Sequence, residues 1–274
     1  MELKDLKSSR KFSLLQYGET GTGKSYRAAQ AVHFGPIFIF DFDNKIQSVF
    51  EWFEDKPELL NNIHYETFAD AGGSSTGCLR TYAKLREMWT MVRDGKFPYS
   101  TIIWDSWTAW ESLYMNQVMA SNAKFERMTT QIYKDEKSGK TESISTPQMA
   151  DYRIHAHNQQ QFITELTTFP CNVIVNAHIA LKEEEHTGRI ERGMAAAGKL
   201  SKLLPKFFTE VHRTFVDKGQ YRVQVRSDTM WPCNTRLQKV DQSGTIDCAI
   251  QHLKPMAMIK SPITNQTSEE KSNE

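Results

Sequence analysis

The chain has 274 residues, and 34 Lys and Arg against 33 Asp and Glu leave a formal charge of +1, so the total charge points to no polyanionic partner. With 39% hydrophobic and 24% charged residues it lies in the globular range, which excludes disorder throughout and fits one large α/β domain better than two small ones. No run approaches the ~18 apolar residues of a membrane span, and the charged start MELKDLKSSRKF lacks the apolar centre of a signal peptide, so a soluble cytoplasmic protein with no membrane partner is expected.

In chain order, a short polar lead (1–10) precedes a buried strand, Phe12 to Tyr17, bounded by Gly18, and a helix is expected from Lys24. Pro36 opens a second strand, Ile37 to Asp41, and His64 to Phe68 is a weaker one. Leu79, Tyr82, Leu85, Met88, Trp89 and Val92 recur at steps of three and four, predicting an amphipathic helix stopped by Gly95. A third buried strand, Thr101 to Trp104, follows, then a helix from Trp107 to about Met119. Residues 122–147 are polar and aperiodic, longer than an ordinary connection, and stand out as a functional or disordered loop. Helix resumes near Gln148 and leads to a fourth strand, Asn172 to Asn176. The stretch from Lys182 through Gly193 to Gly198 reads as mobile. Glu210 to Val216 and Tyr221 to Val225, joined by Asp217-Lys218-Gly219-Gln220, predict an antiparallel hairpin. The core is expected over 11–259 and a disordered polar tail over 260–274.

Strands alternating with helices predict a mainly parallel sheet with helices on both faces, which binds ligands at the carboxyl ends of its strands. After the first strand stands Gly18-Glu19-Thr20-Gly21-Thr22-Gly23-Lys24-Ser25, followed by Tyr26, a match to G-x-x-x-x-G-K-[ST] between strand and helix. Its glycines let main-chain N–H groups wrap nucleotide phosphates, Lys24 neutralises their charge, and Ser25 is placed to ligate Mg²⁺. An N-K-x-D guanine motif is missing, since Asn44-Lys45 leads to Gln47, so ATP is the expected nucleotide. Asp105 ends an apolar strand, where an acid holds Mg²⁺ beside such a serine or simply turns the chain. A second acid, Asp41 or Asp43, could orient an attacking water or cap a helix.

Of the four cysteines, none forms a C-x-x-C pair, and Cys78, Cys171, Cys233 and Cys248 read as reduced structural thiols. His155 and His157, two apart on a helix, point to different faces and make a poor metal pair.

Ile103-Trp-Asp105-Ser106-Trp107-Thr108-Ala109-Trp110 resembles the Walker B strand of the RecA-core recombinases, in which Ser follows the acid. Ile39-Phe-Asp41-Phe-Asp43 looks like the RecA-core segment whose second acid, commonly Glu, is catalytic; here it is Asp43. Val173-Ile-Val-Asn-Ala-His178 is similar to the strand end that senses the γ-phosphate, which implies a sensor role for His178. Gly198 to Arg213, followed by Tyr221 to Arg226, resembles small phage nucleotide-binding proteins that act as single-strand annealing recombinases, so the likeness spans about residues 10 to 240.

That resemblance implies a RecA-like P-loop NTPase core with a C-terminal antiparallel hairpin. It also implies an ATP- and Mg²⁺-dependent ATPase that binds single-stranded DNA, promotes annealing or homologous recombination, and forms a homo-oligomeric filament or ring. The setting it implies is the cytoplasm of a phage-infected bacterium, with a single-strand binding protein as a further partner. On that resemblance the short lead is expected to lack the N-terminal oligomerisation helix of RecA.

Between His186 and Arg213, six basic residues outnumber the acidic Glu191 and Glu210, a local excess of four. Arg189, Arg192, Lys199, Lys202 and Lys206 are the expected DNA contacts, ordered by the ATP state, with Phe125, Tyr133, Phe207 or Phe208 as base-stacking candidates. A solvated helix face and core packing are the plain alternatives. The basic residues Lys124, Arg127, Lys134, Lys137 and Lys140 make 122–147 a second candidate. Arg236, in Pro232-Cys-Asn-Thr-Arg236, resembles a basic position after the hairpin from which related proteins reach a neighbouring subunit's nucleotide, with an ordinary surface Arg as the plain alternative. A helicase loader without strong DNA binding, or a small-molecule kinase, would share the phosphate loop.

Overall fold

A computed structural model describes residues 11–69, 76–123, 129–134, 141–183, 190–237, 240–241 and 243–257. The chain runs β1 (Ser13–Gly18), α1 (Lys24–Ala29), β2 (Ile37–Asp41), α2 (Ile46–Phe53), α3 (Pro57–Leu60) and β3 (Ile63–Thr67). It continues through α4 (Thr76–Arg93), β4 (Thr101–Asp105), α5 (Trp107–Ala123), β5 (Thr129–Lys134), β6 (Thr141–Thr146) and α6 (Met149–Thr168). Last come β7 (Asn172–Glu183), β8 (Ile190–Met194), α7 (Leu200–Leu203), β9 (Glu210–Asp217), β10 (Gln220–Gln224) and β11 (Thr245–Asp247).

One nine-stranded sheet carries the fold in the order β11, β10, β9, β1, β7, β4, β2, β3, with β8 paired to the far part of β7. From β9 to β3 every pairing is parallel, and β10, β11 and β8 are antiparallel additions. This is the mainly parallel P-loop NTPase arrangement expected, with the hairpin β9–β10 at the C-terminal side.

Both faces of the parallel strands are covered, as period-2 alternation demands. Leu14, Ile37, Ile39, Ile103 and Ile174 face one core, with Ala28 of α1 and Val49 and Phe53 of α2. Leu15, Tyr17, Phe38, Phe40, Ile102, Trp104, Val173 and Val175 face the other, against α4, α5 and α6. In that second core Trp104 packs among Phe40 (4.8 Å between ring centroids), Trp110 (5.2 Å) and Phe162 (5.0 Å). Each fully buried aromatic of this kind contributes about 2–3 kcal/mol.

Residues 122–147 are not simply a loop. Helix α5 runs to Ala123, and β5 and β6 form a two-stranded antiparallel sheet from Thr129↔Thr146 to Lys134↔Thr141. Thr, Ile and Tyr give these segments strand propensity, but the polar alternation hides it from a search for apolar runs. The fourth strand is also longer than its apolar stretch: β7 continues past Asn176 to Glu183, and β8 pairs with its extension through Gly193. Helices α2 and α3, and the β11 edge, have no counterpart in the expected elements. The i, i+3, i+7 series Ile46, Val49, Phe53 carried the signal for α2.

The lead, the tail, Arg189, Lys124, Phe125, Arg127, Lys137 and Lys140 lie outside the described residues, as do the side chains of Tyr133 and Lys134. Among the described residues no helix is long and apolar enough to cross a membrane. None of the four cysteines is in a disulfide; three are buried. His155 is buried against Tyr114 whereas His157 is exposed, so the two do point apart.

Candidate active site

The phosphate loop begins where β1 leaves the sheet. A Cβ on Gly18 would collide with the carbonyl and hydroxyl oxygens of Thr214 on β9 and lie 2.7 Å from Thr22 Oγ1, so only glycine permits this approach. Gly21 and Gly23 turn the loop at φ 77° and 81°, in the left-handed region, and Gly23 caps α1. Thr22 Oγ1 donates to the Glu19 carbonyl at 2.8 Å and shares a 2.8 Å hydrogen bond with Thr214 Oγ1.

Lys24 is buried beneath this loop, its Nζ donating to the carbonyls of Gly18 (2.9 Å) and Glu19 (2.7 Å). Burial pulls its pKa down to about 8, with Asp105 the leading opposing charge. The ring of Tyr26 turns away from the loop onto α2, 5.1 Å from Trp52 and 6.3 Å from Phe53. Tyr221 of β10, more than half exposed, borders the loop instead: a Cβ on Gly23 would stand 3.3 Å from its ring. Nothing local to the loop marks this neighbour, because it comes from β10, two strands away in the sheet and on the other side of β9.

Asp105 ends β4, and its carboxyl is pushed above the ordinary range by burial; Ser25 and Asn176 oppose this by favouring the charged form, and Asp43 adds to it. The residues present fit a nucleotide phosphate and its cation. The loop is a cradle that side chains at Gly18 would fill, an ammonium lies under it, and a hydroxyl and a carboxylate meet at its end. Ser25 and Asp105 would hold Mg²⁺, which when bound offsets phosphate charge.

The two acids after β2 divide the readings between them. Asp41 is consumed by structure: its carboxylate accepts from the Lys45 and Ile46 amides at 3.1 and 3.3 Å and from Thr67 Oγ1 at 3.1 Å, closing the turn into α2. Asp43 faces the site, accepting from Ser106 Oγ at 3.1 Å, with Lys45 Nζ at 3.4 Å and His178 Nε2 at 3.6 Å. Burial raises its carboxyl, but His178, Lys45 and Ser106 together outweigh this and hold it below the ordinary range. An ionised Asp43 at neutral pH is an acceptor able to orient a water.

His178 lies in register with Gly18 across the β1–β7 pair, at the loop's edge. Its main-chain N–H donates to Thr108 Oγ1 at 3.1 Å, and its carbonyl accepts from Ala195 at 2.7 Å, where the chain returns from β8. Glu111, one turn on in α5, accepts from the Ala197 amide at 3.1 and 3.2 Å. Burial raises its carboxyl to about 7. Thr108, Glu111 and Asn176 thus belong to the site without having been given a role from the sequence, and Ser106, marked there only as the Ser that follows the acid, takes its role from Asp43. The signal for Asn176 was a polar residue inside an apolar strand.

Lys199, Lys202 and Lys206 are exposed along α7 and the turn that follows it. Arg192 is exposed on β8, its guanidinium 5.7 Å from the Trp231 ring centroid and in hydrogen-bond reach of Met230 Sδ. Phe208 is buried, so its ring is not available for stacking on bases, and Phe207 is partly buried against the core. Arg236 ion-pairs within its own chain, Nε to Glu210 Oε1 at 3.3 Å, with its side chain about half exposed (49%).

No curated protein matches the sequence. Among solved structures, the fold is similar to a chain described as a prototypical ATPase from the type III secretion system of pathogenic bacteria, with a TM-score of 0.47 and 10% identity. That match covers 75% of this chain and 52% of the other, so this chain spans about half of its length. The AAA domain family matches residues 10–237, nearly the whole of the sheet and both of its faces. With the phosphate loop, the Asp105 strand and the parallel sheet in place, the chain belongs to the AAA domain family of P-loop ATPases.

Proposed function

We propose that this ATPase uses ATP and Mg²⁺ to switch its hold on single-stranded DNA, and that it promotes strand annealing and homologous recombination as a homo-oligomer. The observation that carries the reading is the double membership of β7. Its first part lies in the main sheet beside the phosphate loop as far as His178, and its second pairs with β8 as an antiparallel ribbon, Ile179↔Met194 to Glu183↔Ile190. A change felt at His178 passes directly into the ribbon and, through Ala195 and Ala197, into the segment bearing Lys199, Lys202 and Lys206.

In this reading Lys24 and the loop amides hold the phosphates, Ser25 and Asp105 the cation, and Asp43 orients the attacking water. His178 reports the γ-phosphate, and Arg192, Lys199, Lys202 and Lys206 neutralise DNA phosphates. Arg236 would reach a neighbouring subunit's nucleotide if its pairing with Glu210 opened. A phage gene, a single-strand binding protein as helper, and the infected bacterial cytoplasm as setting follow from the resemblance to annealing recombinases.

The test is an electrophoretic shift of labelled single strands with and without ATP at two salt concentrations. ATP-dependent, salt-sensitive shifting supports the reading. Failure to bind at low salt with ATP present overturns it in favour of a loader or motor acting on another protein.

A further inference from the structure

A chain of buried polar side chains crosses the molecule beneath the phosphate loop, and the direction of every hydrogen bond in it follows from one residue. Arg27 of α1 is fully buried and can only donate. Its Nη1 donates to Gln16 Oε1 at 2.8 Å, and its Nη2 lies 3.2 Å from His212 Nδ1. Because arginine cannot accept, Nδ1 must carry a lone pair, which leaves the imidazole proton on Nε2. That proton points at Glu210 Oε2, 3.2 Å away. A neutral ring therefore bridges a buried cation and a buried carboxylate. Burial holds the His212 pKa down at about 4, and the Glu210 carboxyl stays low because His212, Thr235 and Arg236 outweigh its burial.

The other arm is equally determined. With Oε1 taken by Arg27, Gln16 must turn Nε2 outward, where it donates to the Lys24 carbonyl at 2.7 Å and to Asn176 Oδ1 at 2.6 Å. Asn176, its oxygen occupied, then has only its Nδ2 to present elsewhere. That atom is buried with no hydrogen-bond partner among the described residues, and the parallel register Trp104↔Val175 puts Asn176 on the strand position next to Asp105, the carboxylate whose charged form it favours. A donor-only residue at Arg27 thus fixes which end of Gln16 and of Asn176 points where, and leaves Asn176 an unclaimed N–H on the strand next to the carboxylate of Asp105.

We propose that Glu210, His212, Arg27 and Gln16 act as a directional relay that positions Asn176, and through it Asp105, for the divalent cation. None of the four touches the nucleotide; they are positioning residues. At its other end the relay surfaces at Thr235 and Arg236, which donate to Glu210 at 2.7 and 3.0 Å. The relay rests on the reading of Asp105 as the cation's carboxylate.

The test measures binding of a fluorescent ATP analogue in EDTA and in Mg²⁺, so that the Mg²⁺-dependent gain in affinity is read apart from hydrolysis. His212→Leu and Gln16→Leu should cut that gain by about tenfold while changing affinity in EDTA by no more than about twofold, the loss of one charge-assisted contact. His212→Gln, whose amide can accept from Arg27 and donate to Glu210, should keep the gain. A wild-type gain in His212→Leu, or an equal fall with and without Mg²⁺, overturns the relay. If Asp105→Ala itself retains the gain, the metal assignment falls first and the relay with it. Should the leucine variants not fold, ring nitrogen shifts of His212 in the unaltered protein decide the matter. The neutral Nε2–H form at neutral pH supports the relay, and an Nδ1–H form overturns it.

Discussion

His178 Nε2 lies 3.6 Å from Asp43 Oδ2, joining β7 to the loop after β2 across β4, which runs between them. The contact sets the side chain proposed as a sensor against the acid proposed to orient water. Asp43→Asn is expected to keep nucleotide affinity and to lower hydrolysis by about 10²–10⁴-fold, the usual range for a positioned acid or base. His178→Ala is expected to bind nucleotide normally but to lose stimulation by single-stranded DNA. Phosphate-release assays beside nucleotide titrations check both. Normal DNA stimulation without the histidine would remove its sensor role.

Lys24→Ala is expected to lower nucleotide affinity by about a hundredfold or more, because a buried cation that now serves two main-chain carbonyls is the charge available to the phosphates. Lys24→Arg should not rescue it, since a planar fork does not fit the space of an ammonium beneath the loop. Fluorescent-nucleotide titration measures both variants, and rescue by arginine would mean that the position supplies charge alone.

Stability should depend on pH through Glu111. Unfolded, this carboxyl releases its proton near the ordinary glutamate value of 4.5; folded, it keeps the proton to about 7. The folded state therefore holds the extra proton between those values. The stabilisation is intact below the window, declines as pH rises through it, and is gone above about 7. Glu111→Gln should flatten this dependence and melt higher than the native protein above pH 7, by an amount equivalent to about 3 kcal/mol. Thermal melts across pH check it, and parallel slopes in the two proteins would assign the dependence elsewhere.

Trp104→Ala should destabilise the fold by about 3–5 kcal/mol, as a large cavity would open among Phe40, Trp110 and Phe162. Denaturant unfolding measures the loss; a cost under about 1 kcal/mol would mean that the aromatic cluster collapses to fill the space.

The parts of the fold legible in the sequence were those in which one local pattern decides the outcome. The apolar runs before Gly18, Asp41 and Asp105 could only be buried strands, and the loop after the first announced its chemistry in eight consecutive residues. Local pattern alone left Asp41 and Asp43 open, and only the resemblance chose Asp43, because what separates them is non-local: Thr67 of the next strand claims one, and Ser106, just after β4, and His178, on β7, claim the other. Gln16, Arg27 and His212 were illegible for the same reason. Each is an ordinary polar residue until the parallel register brings strands 160 to 200 positions apart side by side. The β5–β6 ribbon escaped because its strands lack the apolar alternation that marks a strand packed on a core.

The placement of β1 also governs how the molecule loosens. Parallel neighbours grip it on both sides, whereas β11 is held to β10 only between Arg222↔Asp247 and Gln224↔Thr245. Fraying that begins at the β11 rim must therefore undo β10 and then β9 before it reaches Gly18. The strand that presents the phosphate loop is the last of that series to let go, so fraying at the rim can release Tyr221 from the loop's border while the phosphate cradle keeps its shape.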